Sequence, residues 1–183
     1  MEQEFTKYKQ KGDYHWKMYS DSNTKYHRHA DRVKEWIKEE YVLDIGCGDG
    51  KITSMLNAIG LDNDMEGLRL ANEHGVHTVY GDAYKLPFYA EQFDAVFMGD
   101  VLEHLEHPLA ALKEVYRVCK KYLYVAVPIP GMQKDPFHVN EPNAQELKFL
   151  VETAGFKLEG EILEVREDKR LYGKFKKLSS LPL

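Results

Sequence analysis

Between Tyr41 and Gly50 the chain reads Tyr-Val-Leu-Asp-Ile-Gly-Cys-Gly-Asp-Gly, and this stretch limits the fold more than any other. Val42, Leu43 and Ile45 make a short buried strand, and Gly46, Gly48 and Gly50 then turn the chain into a helix beginning near Lys51. Glycine at every second position lets the backbone touch a ligand and adopt positive φ, both of which a side chain would resist. The segment therefore reads as a ligand loop. A dinucleotide loop takes G-x-G-x-x-G and seats a pyrophosphate on a helix N-terminus. Here position 51 is Lys, and Asp44 and Asp49 surround the place a diphosphate would take. Those carboxylates favour a ligand with an ammonium group, a neutral sugar and no phosphate.

S-adenosylmethionine has that make-up. At this point the sequence resembles the class I (Rossmann-like) S-adenosylmethionine-dependent methyltransferases, whose first motif, acid-x-G-x-G-x-G, is matched by Asp44, Gly46, Gly48 and Gly50. It is most similar to their small-molecule, type 11-like branch, with the spelling V-L-D-I-G-C-G-x-G. The resemblance covers about residues 30 to 165. It implies a three-layer, doubly wound α/β fold with a mostly parallel seven-stranded sheet, holding S-adenosylmethionine across the tips of the first four strands and releasing S-adenosylhomocysteine.

A chain of 183 residues that is 43% hydrophobic fits one domain, with roughly 70% of its extended surface buried. Its parts are an N-terminal arm and helix (1–40, a lid or a packed surface arm), a binding core (41–165), and a C-terminal strand with a basic tail (166–183). The balance of 30 acidic against 25 basic residues argues against a nucleic-acid platform as the whole surface. The N-terminus has no apolar segment of signal type and no run approaches a membrane span, so a cytoplasmic protein without a membrane partner is expected. Cys47 and Cys119 fit neither a metal spacing nor a disulfide framework. The sequence is silent on oligomeric state.

Along the chain, Tyr26, Ala30, Val33, Trp36 and Ile37 recur at helical spacing after a cap at Asn23 or Thr24. Gly60-Leu61-Asp62 ends a second strand in an acid, placed to accept hydrogen bonds from both ribose hydroxyls. Asp62 comes only 12 positions after Gly50, so the intervening helix is short. Asp64 caps a helix whose buried stripe is read as Met65, Leu68 and Ala71. Asp82 and the N–H of Ala83 can meet the adenine amine and ring nitrogen, with a turn-forming Asp82 as the plainer reading; Tyr84 and Leu86 are candidates to pack on the ring. The cofactor-binding set is thus Asp44, Gly46, Cys47, Gly48, Asp62, Asn63, Asp82 and Ala83, and the resemblance adds Asp100 or Val101 against the methionine moiety.

Gly99 to Leu105 leaves the carboxyl end of the fourth strand and should face the transferred methyl. His104 is the best-placed general base, since a neutral imidazole accepts protons near neutral pH. Phe137 and His138, in a loop with Pro128, Pro130, Pro136 and Pro142, are the acceptor-side candidates. Asp100, Glu103 and His104 would share one helical face, and with His138 they make an oxygen and nitrogen set for a divalent ion. Some methyltransferases of RNA 3' ends and quinone precursors resemble this pattern, yet metal-free relatives also spell V-L-E-H. Asn143 caps a further helix, Phe156 to Val165 reads as a strand, and a segment around Leu171 to Leu178 is read as pairing with it. The basic end from Arg166 reads as a solvated tail. The expected activity is methyl transfer to a small-molecule acceptor. The alternatives are a metal-assisted enzyme on a catechol-like or RNA-end acceptor and a non-catalytic nucleoside-binding subunit; an oxidoreductase is a weaker third.

Overall fold

The computed structural model describes residues 7–133 and 135–179. Phe5 and the last residues of the tail lie outside that range. Strands β1 (Val42–Ile45), β2 (Ile59–Asp62), β3 (Thr78–Tyr80), β4 (Phe93–Gly99), β5 (Cys119–Pro128), β6 (Phe156–Leu158), β7 (Leu163–Val165) and β8 (Arg170–Lys177) form one sheet. Its order is β3-β2-β1-β4-β5-β8-β6, with β7 also paired to β8. The first five strands run parallel and β8 is antiparallel to its neighbours. The expected single strand from Phe156 to Val165 is broken in two. β6 lies along Phe175–Lys177 and β7 along Arg170–Tyr172, so the two halves share one edge of β8 and seven strand positions are filled.

Side-chain alternation in β1 sends Leu43 and Ile45 to one face and Val42 to the other. On the first face they meet α6 (Pro108–Val118) and α7 (Ala144–Thr153) through Leu112, Val115, Leu147 and Val151. On the second, α3 (Lys25–Trp36) brings Val33 against Phe97, Tyr124 and Tyr172. Local sequence sets the helix starts. Thr24 accepts from the His27 N–H, Asp64 from those of Glu66 and Gly67, and Asn143 closes a capping box with Glu146. Helix α4 (Lys51–Leu56) is as short as the Gly50 to Asp62 interval requires.

Three expectations are corrected. Met65 is 66% exposed, and Leu70 takes its place beside Leu68 and Ala71 in α5 (Met65–Glu73). Leu86 is core rather than a free adenine platform. The basic tail is no tail between Arg170 and Lys177: β8 sits between β5 and the β6–β7 edge, and Arg170 is buried. Its cations are accommodated by pairing, as with Lys174–Glu159 and Lys177–Glu91, and by resting on the Tyr122 and Tyr116 rings.

Candidate active site

The glycine loop stands at the carboxyl end of β1, where parallel sheets keep their ligands. Gly46, Gly48 and Gly50 all have positive φ. At Gly46 the bareness is needed twice, since a Cβ would also overlap Val101 Cγ2. Asp62, at the tip of the adjacent β2, accepts the Gly48 N–H on one oxygen and the Asp64 N–H on the other, each at 2.8 Å. Burial pushes its carboxyl up, against the pull of those N–H groups. Loop and acid are thus locked together with the acid part-exposed toward the cleft. Asn63 beside it is exposed.

The other two acids of the loop face elsewhere. Asp44 is buried on the helix side and accepts from Thr53 Oγ1 at 2.6 Å, and burial pushes its carboxyl up to about 7. Asp49 is fully buried beneath the arm, where it accepts the His15 N–H at 2.9 Å and meets that ring at 3.0 Å. Contrary to expectation, Asp44 and Asp49 do not surround the ligand's place as bare carboxylates: Asp62 alone of the three presents part of its surface at the loop. Cys47 packs inward, with its sulfur where a Cβ on Gly60 would fall. At the tip of β3, Asp82 accepts the Tyr84 N–H at 2.9 Å and is otherwise exposed, with Ala83 packed on the core edge.

The arm covers this end of the cleft as α1 (Lys7–Lys11) and α2 (Tyr14–Ser20). Trp16 Nε1 donates to the Asp49 carbonyl at 2.7 Å, and its ring stacks on His74 with centroids 3.9 Å apart. Tyr8 is buried, with its hydroxyl where a Cβ on Gly48 would stand. Tyr8 belongs to the aromatic run Tyr8, Tyr14, His15, Trp16 and Tyr19 by which the sequence suggests a lid; that this one ring seats on Gly48 has no signal in the sequence, since the run has no period of its own.

At the carboxyl end of β4 the chain makes a left-handed step at Asp100 (φ 55) and then a single 3-10 turn, Leu102–His104. The expected shared helical face is lost. Asp100 turns to Arg170, whose charge and fork bring its carboxyl down to about 2 although burial alone would push it up. Glu103, His104 and His138 do come together, each offering a ligand atom within 4.8 Å of the others. Asp100 is not of that group. Glu103 is fully buried with neither carboxylate oxygen hydrogen-bonded, and burial, with Asp100 nearby, pushes it well above its usual range. His104 Nδ1 lies 3.1 Å from the Phe137 carbonyl and His138 Nδ1 3.1 Å from Glu141 Oε1. Both acceptors lack protons, so both Nδ1 atoms carry one. Burial, and the neighbouring His138, lower the His104 pKa, so its ring is neutral near pH 7. An ion pair between Lys7 and Asp135 ties α1 to the Pro-rich loop over this end.

A parallel sheet of this order with an antiparallel strand inserted before its last position, carrying a bare-backbone loop after β1 and an acid at the tip of β2, defines the class I S-adenosylmethionine-dependent methyltransferases. Residues 43–126 match the Methyltransf_11 family, a methyltransferase domain. The chain is 28% identical to an uncharacterized protein of Methanocaldococcus jannaschii over 90% of its own length and 78% of that protein's. It is 31% identical to the chloroplastic 2-phytyl-1,4-beta-naphthoquinone methyltransferase of Arabidopsis thaliana over 62% of this chain and 47% of the enzyme. Beyond the first of these it spans about half or less of most curated relatives it matches. Among solved structures, a Thermotoga maritima S-adenosylmethionine-dependent methyltransferase, described as a possible histamine N-methyltransferase, superposes with a TM-score of 0.77 at 21% identity, over 95% of this chain and 98% of that one. Within that class, the match over residues 43–126 is to the type 11-like branch. No helix among the described residues is long and apolar enough to cross a membrane.

Proposed function

We propose that the chain moves the methyl group of S-adenosylmethionine to an oxygen, nitrogen or carbon nucleophile of a small molecule. The observation that carries this reading is the lock between Asp62 and Gly48: an acid with lone pairs to spare, held at the tip of β2 beside a loop that admits no side chain. Asp62 accepts the ribose hydroxyls, Asp82 and Ala83 take the adenine edge, and Gly46, Gly48 and Val101 form the floor under the methionine part. The sulfonium methyl is already activated, so aligning the nucleophile with it and excluding water supply most of the acceleration. The arm and the Pro-rich loop, joined by Lys7 and Asp135, provide that cover. His104 Nε2 is the proton acceptor where the nucleophile carries a proton to lose. The test is to incubate the protein with methyl-labelled donor and cell extract and look by mass spectrometry for a product heavier by CH2. Persistent failure of transfer with intact donor binding would favour the non-catalytic subunit.

One observation favours the metal-assisted form. A buried carboxylate with no partner beside two imidazoles whose Nδ1 protons are already engaged is how a cation site is prepared, with the outer hydrogen bonds fixing each ring. The residues fit a divalent ion, with Glu103, His104 and His138 as ligands and Asp100 excluded. Such an ion would polarise the acceptor oxygen. His104 would then be a ligand and not the base. Activity that survives EDTA and Glu103→Gln would remove this form.

A further inference from the structure

Arg170 lies on β8, in a stretch whose charge suggests solvent, yet its side chain is only 6% exposed. Its Nε donates to both Asp100 oxygens, at 2.9 and 3.1 Å, and its Nη2 donates to Oδ2. Its Nη1 donates to the Asp168 carbonyl at 2.8 Å. A planar fork used in this way fixes the orientation of a carboxylate as well as its place. The fork is itself held, because the Asp168 carboxylate accepts from Tyr172 Oη at 2.9 Å and from Arg32 Nε at 2.8 Å.

The residue it clamps has a left-handed backbone that L side chains adopt at a cost. That step redirects the chain leaving β4 so that Val101 rests against the glycine loop at Gly46. The Asp100 N–H is secured on the other side by the Ala126 carbonyl at 2.9 Å. Direct contacts therefore run from Arg170 to Asp100, on through Val101, to Gly46.

We infer that Arg170 is a positioning residue for the donor site. Its fork holds the left-handed step at Asp100, and through it the seat of Val101 against the loop. The inference rests on the donor reading given above; Arg170 itself touches no reacting atom.

The test compares S-adenosylhomocysteine affinity by calorimetry, on protein shown to be folded, for wild type, Arg170→Lys, Arg170→Gln and the double variant Arg170→Gln with Asp100→Asn. Lys keeps the charge without the fork, and binding about tenfold weaker is expected. Arg170→Gln leaves Asp100 unpaired and should bind at least as weakly. In the double variant no charge is stranded and Asn tolerates the left-handed backbone, but the fork is still missing, so affinity should stay about tenfold below wild type; recovery to the wild-type value would assign the loss to the stranded charge and overturn the inference. A role limited to general stability would lower the melting temperature of these variants without moving the affinity of the folded protein. Wild-type affinity in a folded Arg170→Lys protein would overturn the inference and leave the donor reading standing. No binding by wild type itself would overturn both.

Discussion

At the tips of β1 and β2 the cleft is made of backbone, whereas at the tips of β4, β5 and β8 it is made of side chains paired over long distances in sequence. The first end uses three positive-φ glycines and an acid whose partners are the N–H groups of Gly48 and Asp64. The second depends on Arg170 with Asp100, Lys7 with Asp135, and the rings of His104 and His138 set edge to face with centroids 4.9 Å apart. Backbone geometry tolerates almost no substitution and suits a ligand that never changes. Paired side chains can be exchanged without rebuilding the sheet, and they suit an acceptor that differs from one relative to the next.

Substitutions at the two ends should therefore differ in size. Gly46→Val places a branched side chain at positive φ against Val101, and S-adenosylhomocysteine binding should fall by more than about 100-fold while cooperative unfolding persists. Near-normal binding would remove the claim that the loop is a ligand seat. Asp62→Ala removes a carboxylate that accepts two backbone N–H groups and the proposed ribose bonds, so calorimetry should read a loss of about 10- to 100-fold.

A pH effect singles out the buried acid of β1. The Asp44 carboxyl has a folded-state pKa of about 7 against an ordinary value of 3.8. The folded protein thus holds that proton more tightly. Its stabilising contribution is complete below the ordinary value and is lost as pH rises through the folded one. Asp44→Asn should accordingly gain on wild type between pH 4.5 and 8, by on the order of 2 kcal/mol in urea unfolding. A gap that stays constant with pH would contradict the burial argument. Smallest of all, Lys7→Ala cuts a part-exposed ion pair and should cost less than about 1 kcal/mol of stability. Its effect should appear in acceptor KM, with donor affinity within about threefold of wild type.

The backbone-built end was readable from the chain because its signals are local. Strand, glycines and helix start follow one another within Val42–Lys51, and Asp64, Thr24 and Asn143 cap helices only a few residues away. The other end was readable only in part: the sequence brought Glu103, His104 and His138 together, but the charge partners are distant, Arg170 being 70 residues from Asp100 and Lys7 128 from Asp135. In β8 the segment from Leu171 to Leu178 was legible as a pairing strand, but the basic residues at 170, 174, 176 and 177 suggest solvent and conceal that Arg170, Leu171, Tyr172 and Phe175 are buried. Asp100 looked free for a ligand or an ion because its charge partner could not be seen, and Glu103 and His104 looked helical because the left-handed step before them leaves no mark in composition.

The lock between Asp62 and Gly48 is proposed to hold a positively charged nucleoside. A crystal soaked with S-adenosylhomocysteine tests it most directly. The ribose hydroxyls should lie within hydrogen-bond distance of the Asp62 carboxylate, with the methionine part over Gly46 and Gly48. A cleft left empty at saturating ligand, or one that instead takes the pyrophosphate of a dinucleotide against the same loop, would contradict it.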